Sequence, residues 1–256
     1  MKNKLNYKKL IAVIIFVIFL IIFIFSVFKI IKLNLDNKAN KEIEDILNIS
    51  IEKPQIEDDI KDNDEIIESE YNIDFEALKK RNKDIVAYLN VPNTNVDTTV
   101  VRGKNNSYYL NHNFDKKWNN CGWAFADYRN RFDGSDRNIV IFGHNLKNKR
   151  LFGSLKNTLN KKWYTNKENQ IITLVTEKEE AKYQVFSIYT IPKEEYYIKT
   201  SFNSDNEYNN FLNTIKKRSI YDFKVPLNSN DTILTLSTCQ PGGSERLAFH
   251  AKKLNE

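Results

Sequence analysis

The chain has 256 residues, two cysteines and a formal net charge of +6, and these counts narrow its possible functions. No basic cluster is interleaved with aromatic residues and no nucleic-acid motif is recognisable, so no nucleic-acid partner is expected. The charge is unevenly divided: six lysines and no acid in residues 1–32, 15 acids against four lysines in residues 36–76, and 29 basic groups against 18 acids in residues 77–256. A segment of net charge −11 therefore precedes one of +11. The positive segment suits anionic partners such as wall polymers or lipid headgroups.

The N-terminus predicts a membrane anchor. Residues 10–28 are apolar except for Ser26, and a 19-residue helix covers about 28 Å, enough to span a bilayer. Four lysines precede the run and two follow it closely, so the N-terminus is expected in the cytoplasm and the rest of the chain outside. A cleaved signal peptide is the alternative, but its apolar region is about 7 to 15 residues long and ends at a small-residue site. Residues 1–32 are therefore read as a cytoplasmic tail and signal anchor, and a chain lacking them should be soluble.

An acidic stalk is predicted over residues 33–76. It contains "IEDDIKDNDEIIESE" and too few apolar residues for a core. It is interpreted as a partly helical linker, in which Ile43, Ile46 and Leu47 pack on something, or as a solvated spacer. Residues 77–256 then form the outer domain.

The outer domain is predicted to be mainly β, because short strands alternate with turn signals. Eight candidate strands would suffice to close a barrel. They span residues 85–91, 97–103, 122–129, 138–144, 170–176, 181–191, 231–239 and 245–253.

Two helices interrupt the strands. "LFGSLKNTL", after residue 150, predicts one or two turns. A longer helix begins at Ser204, where Ser204 and Glu207 form a capping box. Its apolar residues recur at i, i+3, i+4 and i+7 and predict one face packed on the barrel; they are Tyr208, Phe211, Leu212 and Ile215.

Cys239, His144 and Arg246 are the candidate catalytic residues. Cys239 ends the strand "TLSTC", and a thiol nucleophile needs a proton-transfer partner and a group that holds the developing oxyanion. His144 ends the strand "NIVIFGH", and Arg246 follows Cys239 across the turn "QPGGS". A connection of that kind between antiparallel strands brings Cys239 and Arg246 to one end of the sheet.

Each candidate also has a structural interpretation. Cys239 could form a disulfide with Cys121 in an exported domain. His144 could be an exposed loop histidine, and Arg246 a surface cation. Cys121 is expected to be a small buried residue. His112 and His250 are expected to be structural, because neither is flanked by glycine or placed at a strand end.

The sequence resembles the sortases, cysteine transpeptidases of Gram-positive cell surfaces. "TLSTC" is similar to the family's TLxTC strand, with the histidine of "FGHN" 95 residues earlier and an arginine at the start of the next strand. The resemblance covers residues 77–256 and implies an eight-stranded sortase barrel. Class B is indicated by helices before the barrel, a helix between the sixth and seventh strands, and "FADYRN". Class C enzymes usually carry a C-terminal membrane helix and a lid, and neither is visible here.

The resemblance implies a mechanism. Cys239 would attack the Thr carbonyl of a C-terminal sorting motif in a secreted protein, Arg246 would steady the oxyanion, and His144 would protonate the leaving amine. An amine of the wall peptide or of its lipid-linked precursor would resolve the thioacyl enzyme. Ser237 and Tyr197 are the expected substrate contacts, although Tyr197 could equally be a packing residue and Tyr196 an equal candidate. No metal or cofactor is expected.

Two other functional classes stay open. One is a secreted cysteine hydrolase with the same site. The other is a non-catalytic wall-binding domain held together by a disulfide between Cys121 and Cys239.

Overall fold

The computed structural model describes residues 7–54, 71–239 and 245–254. The acidic stretch quoted above and the turn "QPGGS" lie outside the described residues.

Four α-helices and ten strands make up the described chain. The helices are α1 (Tyr7–Leu47), α2 (Phe75–Arg81), α3 (Lys161–Tyr164) and α4 (Asp205–Lys217). The strands are β1 (Ile51–Glu52), β2 (Asn72–Ile73), β3 (Ile85–Asn90), β4 (Asp97–Val101), β5 (Phe125–Ala126), β6 (Asn138–His144), β7 (Ile171–Val175), β8 (Glu180–Pro192), β9 (Ile233–Cys239) and β10 (Glu245–Lys253). Short 3-10 helices span Asn48–Ser50, Tyr108–Leu110, Phe152–Leu159, Lys167–Gln170 and Tyr196–Ile198.

Eight strands close a barrel in the order β10-β8-β7-β3-β4-β5-β6-β9, while β1 and β2 form a separate two-stranded sheet. The predicted mainly β fold and all eight predicted strands are confirmed. Most pairs are antiparallel, but β4 pairs with β5 and β6 pairs with β9 in parallel. A parallel pair aligns the carboxyl ends of its two strands, so β6 and β9 end at the same rim of the barrel.

The strand predicted over residues 122–129 is much shorter in the structure, where only Phe125 and Ala126 belong to β5. Gly122 has a φ of +60°, which an extended strand does not use. At the other end the N–H of Asn130 donates to the carbonyl of Asp127 and turns the chain away. Both ends of the predicted strand are therefore turns.

Helix α1 has two parts with different surroundings. The apolar N-terminal part of α1 is long and apolar enough to cross a membrane. Its most apolar stretch has a mean hydropathy of 3.5, and no residue of that stretch is buried. Its C-terminal part packs on the domain: Asn40, Ile43 and Leu47 are buried. The predicted packing of Ile46 is wrong, since this side chain is 50% exposed.

Helix α4 lies between β8 and β9, the sixth and seventh strands of the barrel. The hydroxyl of Ser204 accepts from the N–H of Glu207, and the four predicted apolar residues are buried. The carboxylate of Glu207 accepts from the N–H of Asn203, one residue before the N-cap. Both the predicted helix and its packed face are confirmed.

Candidate active site

The rim where β6 and β9 end carries two of the predicted residues. Their parallel ladder runs through seven consecutive pairs, from Asn138 with Ile233 to His144 with Cys239. Neighbouring strands lie about 4.8 Å apart, so the backbones of His144 and Cys239 are direct neighbours although 95 residues separate them in sequence. The exposed-loop interpretation of His144 is excluded, because its side chain is only 5% exposed.

A backbone carbonyl orients the imidazole of His144. Its Nε2 lies 2.6 Å from the carbonyl oxygen of Leu110. A carbonyl oxygen can only accept a hydrogen bond, so Nε2 carries a hydrogen and the carbonyl of Leu110 fixes the orientation of the ring.

Gly122 closes the space beside this ring. A Cβ added there would lie 3.0 Å from Cδ2 of His144 and 2.7 Å from the carbonyl oxygen of Leu110. Only a glycine allows this approach together with a φ of +60°. Neither Leu110 nor Gly122 was predicted from the sequence, because the contact joins segments distant in sequence.

Arg246 reaches the same rim from β10. The ladder between β9 and β10 pairs Ser237 with Ala248, and two further steps in this register take Arg246 opposite Cys239. The guanidinium Nη1 of Arg246 donates to the carbonyl of Thr238 at 3.2 Å, and the hydroxyl of Thr238 accepts from the N–H of Leu247 at 2.9 Å. A cation is thereby held within one residue of the predicted nucleophile.

The two predicted substrate contacts touch one another. The hydroxyls of Tyr197 and Ser237 lie 2.8 Å apart, and both side chains are buried. Tyr196, the alternative to Tyr197, instead bonds through its hydroxyl to that of Tyr189 at 2.9 Å. Among these tyrosines, Tyr197 is the one joined to β9, two residues from its end.

Cys121 is buried and free of any disulfide, which contradicts the disulfide interpretation. Its thiol donates to Oδ1 of Asn37 at 3.3 Å. Burial, followed by the negative charge of Asp36, raises the pKa of the thiol to about 11. Cys121 is therefore a protonated, packed thiol at neutral pH, as expected of a structural cysteine.

The other two histidines make internal contacts. His250 is fully buried, with Nδ1 2.9 Å from the hydroxyl of Thr235 and Nε2 3.1 Å from that of Tyr189. Burial lowers its pKa to about 3. Nδ1 of His112 lies 2.8 Å from the carbonyl oxygen of Tyr108. Because a carbonyl oxygen only accepts, Nδ1 is the donor in this hydrogen bond.

A cavity of about 260 Å³ lies at the other end of the barrel. Ile139, the second residue of β6, and Thr232, the residue before β9, line this cavity. The candidate site is at the opposite ends of these strands. The cavity is thus separate from the rim that holds His144.

Comparison with known proteins identifies the family. Residues 89–254 match the family described as "Sortase domain". Sortase B of Staphylococcus aureus is 33% identical over 171 residues, which cover 67% of this chain and 69% of that protein. Sortase B of Listeria monocytogenes is 31% identical over 173 residues, covering 68% and 70%.

Solved structures agree with this. Sortase B from Bacillus anthracis in complex with AAEK1 superposes with a TM-score of 0.74 at 31% identity, covering 87% of this chain and 99% of that one. A Staphylococcus aureus sortase B–substrate complex gives a TM-score of 0.67 at 32% identity, covering 71% and 84%.

A closed eight-stranded barrel with a cysteine and a histidine ending adjacent parallel strands is the architecture of a cysteine transpeptidase. The chain belongs to the sortase family. Within that family its relatives and structural neighbours are class B sortases, so the predicted family and class are confirmed.

Proposed function

We propose that this sortase is anchored in the membrane by residues 1–32 and cleaves a C-terminal sorting motif at the Thr carbonyl. It then transfers the cleaved protein to an amine of the wall peptide or its lipid-linked precursor. The observation that carries the proposal is the parallel ladder ending in His144 and Cys239. The relative described as a sortase B–substrate complex supports a substrate of this class.

The thiolate of Cys239 attacks the Thr carbonyl carbon and forms a tetrahedral intermediate. The guanidinium of Arg246, beside the carbonyl of Thr238, stabilises the negative charge on the carbonyl oxygen. His144 delivers a proton from Nδ1 to the leaving amine while Leu110 holds Nε2. The carbon–nitrogen bond breaks and leaves a thioester on Cys239. An incoming amine attacks the thioester carbon, passes a proton to Nδ1 of His144 and displaces the thiolate of Cys239, so that both groups return to their starting states.

Ser237 and Tyr197 are proposed to support the motif groove. Their mutual hydrogen bond fixes β9 to the 3-10 helix Tyr196–Ile198, so this buried pair would support the part of the rim, next to Cys239, on which the peptide binds.

The proposed topology places the N-terminus in the cytoplasm and the barrel outside. The lysine excess before the apolar run supports this orientation. The proposed division is a tail and anchor in residues 1–32, an acidic segment in residues 33–76 and the catalytic barrel in residues 77–256. Ile43 and Leu47 of the acidic segment pack on the barrel.

The test is a peptide assay on the full chain in detergent or vesicles. A Pro- and Thr-containing motif peptide should be cleaved after Thr, and an added amine acceptor should give the joined product. Cys239→Ala should abolish cleavage, whereas Cys121→Ala should retain it. Removing His144 or Arg246 should lower kcat/KM by about 100-fold or more.

Two outcomes contradict the proposal. Cleavage retained in Cys239→Ala would exclude the thioester. Hydrolysis alone at saturating amine would favour the cysteine hydrolase.

A further inference from the structure

The domain first meets α1 at Asp36 and Asn37. The described residues of α1 before Asp36 are all exposed, so this part of the helix extends from the domain toward the predicted membrane. The carboxylate of Asp36 accepts from the N–H of Asn120 at 3.0 Å. Asn37 accepts from Asn148 at 2.9 Å through its side chain. Two loops of the domain, around residues 119–121 and 148–150, therefore form hydrogen bonds to the helix. Because these are the first contacts of α1 with the domain, the two loops form the part of the domain nearest the predicted bilayer.

The height of these loops follows from helix geometry. Asp36 is eight residues beyond Phe28, the end of the apolar run, and a rise of about 1.5 Å per residue gives about 12 Å. The headgroup layer extends about 5 to 8 Å beyond the hydrocarbon core. The point where the two loops meet α1 thus lies about 4 to 7 Å beyond the headgroup layer, which is within the screening length of about 8 Å at physiological salt. The helix is continuous from Tyr7 to Leu47, so no loop intervenes that would lift the domain away.

Both loops present exposed cations. Lys117 lies close to Asn120 in sequence, Lys147 and Lys149 flank Asn148, and all three lysines are exposed. Nearby acids are engaged by partners inside the protein: Asp115 by Arg81, Glu44 by Arg150 and, as above, Asp36 by Asn120. Lys116 pairs with Asp84. The outward charge of the two loops is therefore positive.

An exposed tryptophan lies among these lysines. Trp118 is 58% exposed, whereas Trp123 and Trp163 are buried. Its ring packs edge-on against His112 at 5.5 Å, and His112 stacks on Tyr108 at 4.0 Å. The indole is therefore held at the surface by an aromatic stack. Tryptophan with neighbouring lysines is the combination enriched where proteins meet the membrane interface.

We propose that Lys117, Trp118, Lys147 and Lys149, here called the headgroup patch, rest on the anionic surface of the bilayer that holds α1. The inference rests on the proposed membrane anchor. The lysines are attracted to an anionic leaflet, and the indole ring faces the headgroup region. Because α1 already brings the patch to this height, weak contacts suffice to fix the tilt of the barrel.

The patch is connected to the candidate active site through one short segment. The carbonyl of Tyr108 holds His112, which supports Trp118, and the carbonyl of Leu110 holds His144. Contact with the bilayer thus sets the orientation of the rim that carries His144.

The experiment measures quenching of tryptophan emission by lipids spin-labelled on the headgroup. The full chain is reconstituted in vesicles of phosphatidylcholine with phosphatidylglycerol. The spin-labelled lipid should quench an emission component that Trp118→Phe loses. Raising salt from about 0.1 M to 1 M shortens the screening length from about 10 Å to 3 Å and should weaken the quenching.

A charge variant with a matched control completes the test. Replacing Lys117, Lys147 and Lys149 by Gln should reduce the quenching of Trp118. Replacing the exposed lysines 161, 162 and 167, which lie outside the patch, removes the same charge and should leave it unchanged.

Each failure has its own signature. A chain that floats with vesicles but shows the same lipid quenching as Trp118→Phe overturns the inference alone. A chain that does not float overturns the anchor and the inference together. Trp118 could instead become less accessible to solvent as the amount of protein per vesicle rises, with no quenching by the labelled lipid. That result would indicate that a second copy of the chain covers the patch, and it would overturn the inference. The peptide assay tests the transpeptidase activity separately.

Discussion

The orientation of one imidazole decides which proton transfer the site can perform. With Nε2 bonded to the carbonyl of Leu110, the proton transfer proposed for His144 goes through Nδ1. The backbone of Leu110 therefore has a chemical role that no substitution of its side chain would reveal directly.

The two cysteines should differ in reactivity. The raised pKa of Cys121 keeps it a buried thiol at pH 8, so iodoacetamide should alkylate it slowly in the folded protein. Mass spectrometry of the native chain should find one fast site at Cys239, absent in Cys239→Ala and kept in Cys121→Ala. In denaturant both sites should react. Equal rates for the two native thiols would contradict this assignment.

His250 should make stability depend on pH. Its pKa is lowered to about 3 in the folded state, from 6.5 for an exposed histidine. The unfolded chain therefore takes up a proton as the pH falls below 6.5, while the folded chain does not until near pH 3. Stability is thus full above pH 6.5 and declines toward pH 3.

Between pH 7 and pH 5 this one group should lower the free energy of unfolding by about 2 kcal/mol. Urea unfolding of His250→Gln should show a pH dependence smaller by that amount, since glutamine keeps a donor and an acceptor for Thr235 and Tyr189. A variant with the full wild-type dependence would show that His250 does not titrate in this way.

At the scale of elements, the turn at Gly122 joins the loop before β5 to the end of β6. Gly122→Ala would set a Cβ 2.4 Å from the carbonyl oxygen of Tyr109, so the backbone that holds His144 must shift. A displacement of about 1 Å can cost on the order of 100-fold in rate, and a loss of that size in kcat/KM is expected.

Gly134→Ala is the matched control for this prediction. Gly134 also has a positive φ, +93°, but nothing lies within 4 Å of an added Cβ. It should lose about 1 kcal/mol of stability and keep kcat/KM. Equal activity losses in the two variants would show that the effect is not specific to the histidine.

Local patterns in the sequence predict the barrel strands and α4 well, because a strand between turns or a capped amphipathic helix depends on neighbouring residues. The pairing of His144 with Cys239 was not derivable from the residues alone; it required the resemblance, and the structure shows the ladder that produces it. Helix α2 and the sheet of β1 with β2 were not predicted. Both occur next to the acidic stretch, whose charge obscures short apolar patterns such as Phe75 and Leu78.

At the scale of the whole molecule, the charge asymmetry becomes a spatial arrangement. The acidic residues of α1 turn partly toward the domain, where Glu44 pairs with Arg150. Exposed lysines also lie in or beside the loops that contact α1 at Asp36 and Asn37. Residues 77–256, of net charge +11, thus meet α1 at an ion pair and beside exposed lysines.

Two truncations should separate anchoring from folding. A chain starting at residue 33 lacks the apolar run but keeps Asn40, Ile43 and Leu47, so it should be soluble and as stable as the full chain. A chain starting at residue 48 loses all three. Burial of a leucine or isoleucine stabilises by about 1.5 to 3 kcal/mol, so the shorter chain should lose about 3 to 6 kcal/mol, an upper estimate.

The shorter chain should also be less active per folded molecule. Asn40 donates to the carbonyl of Gly122 at 2.9 Å and accepts from Asn119 at 2.8 Å, and Gly122 contacts His144. Loss of α1 therefore frees the turn that shapes the histidine pocket. Urea unfolding and kcat/KM at a temperature where both chains are folded measure the two effects. If the two truncated chains matched in both, α1 would be an anchor only; a difference would make it part of the catalytic domain.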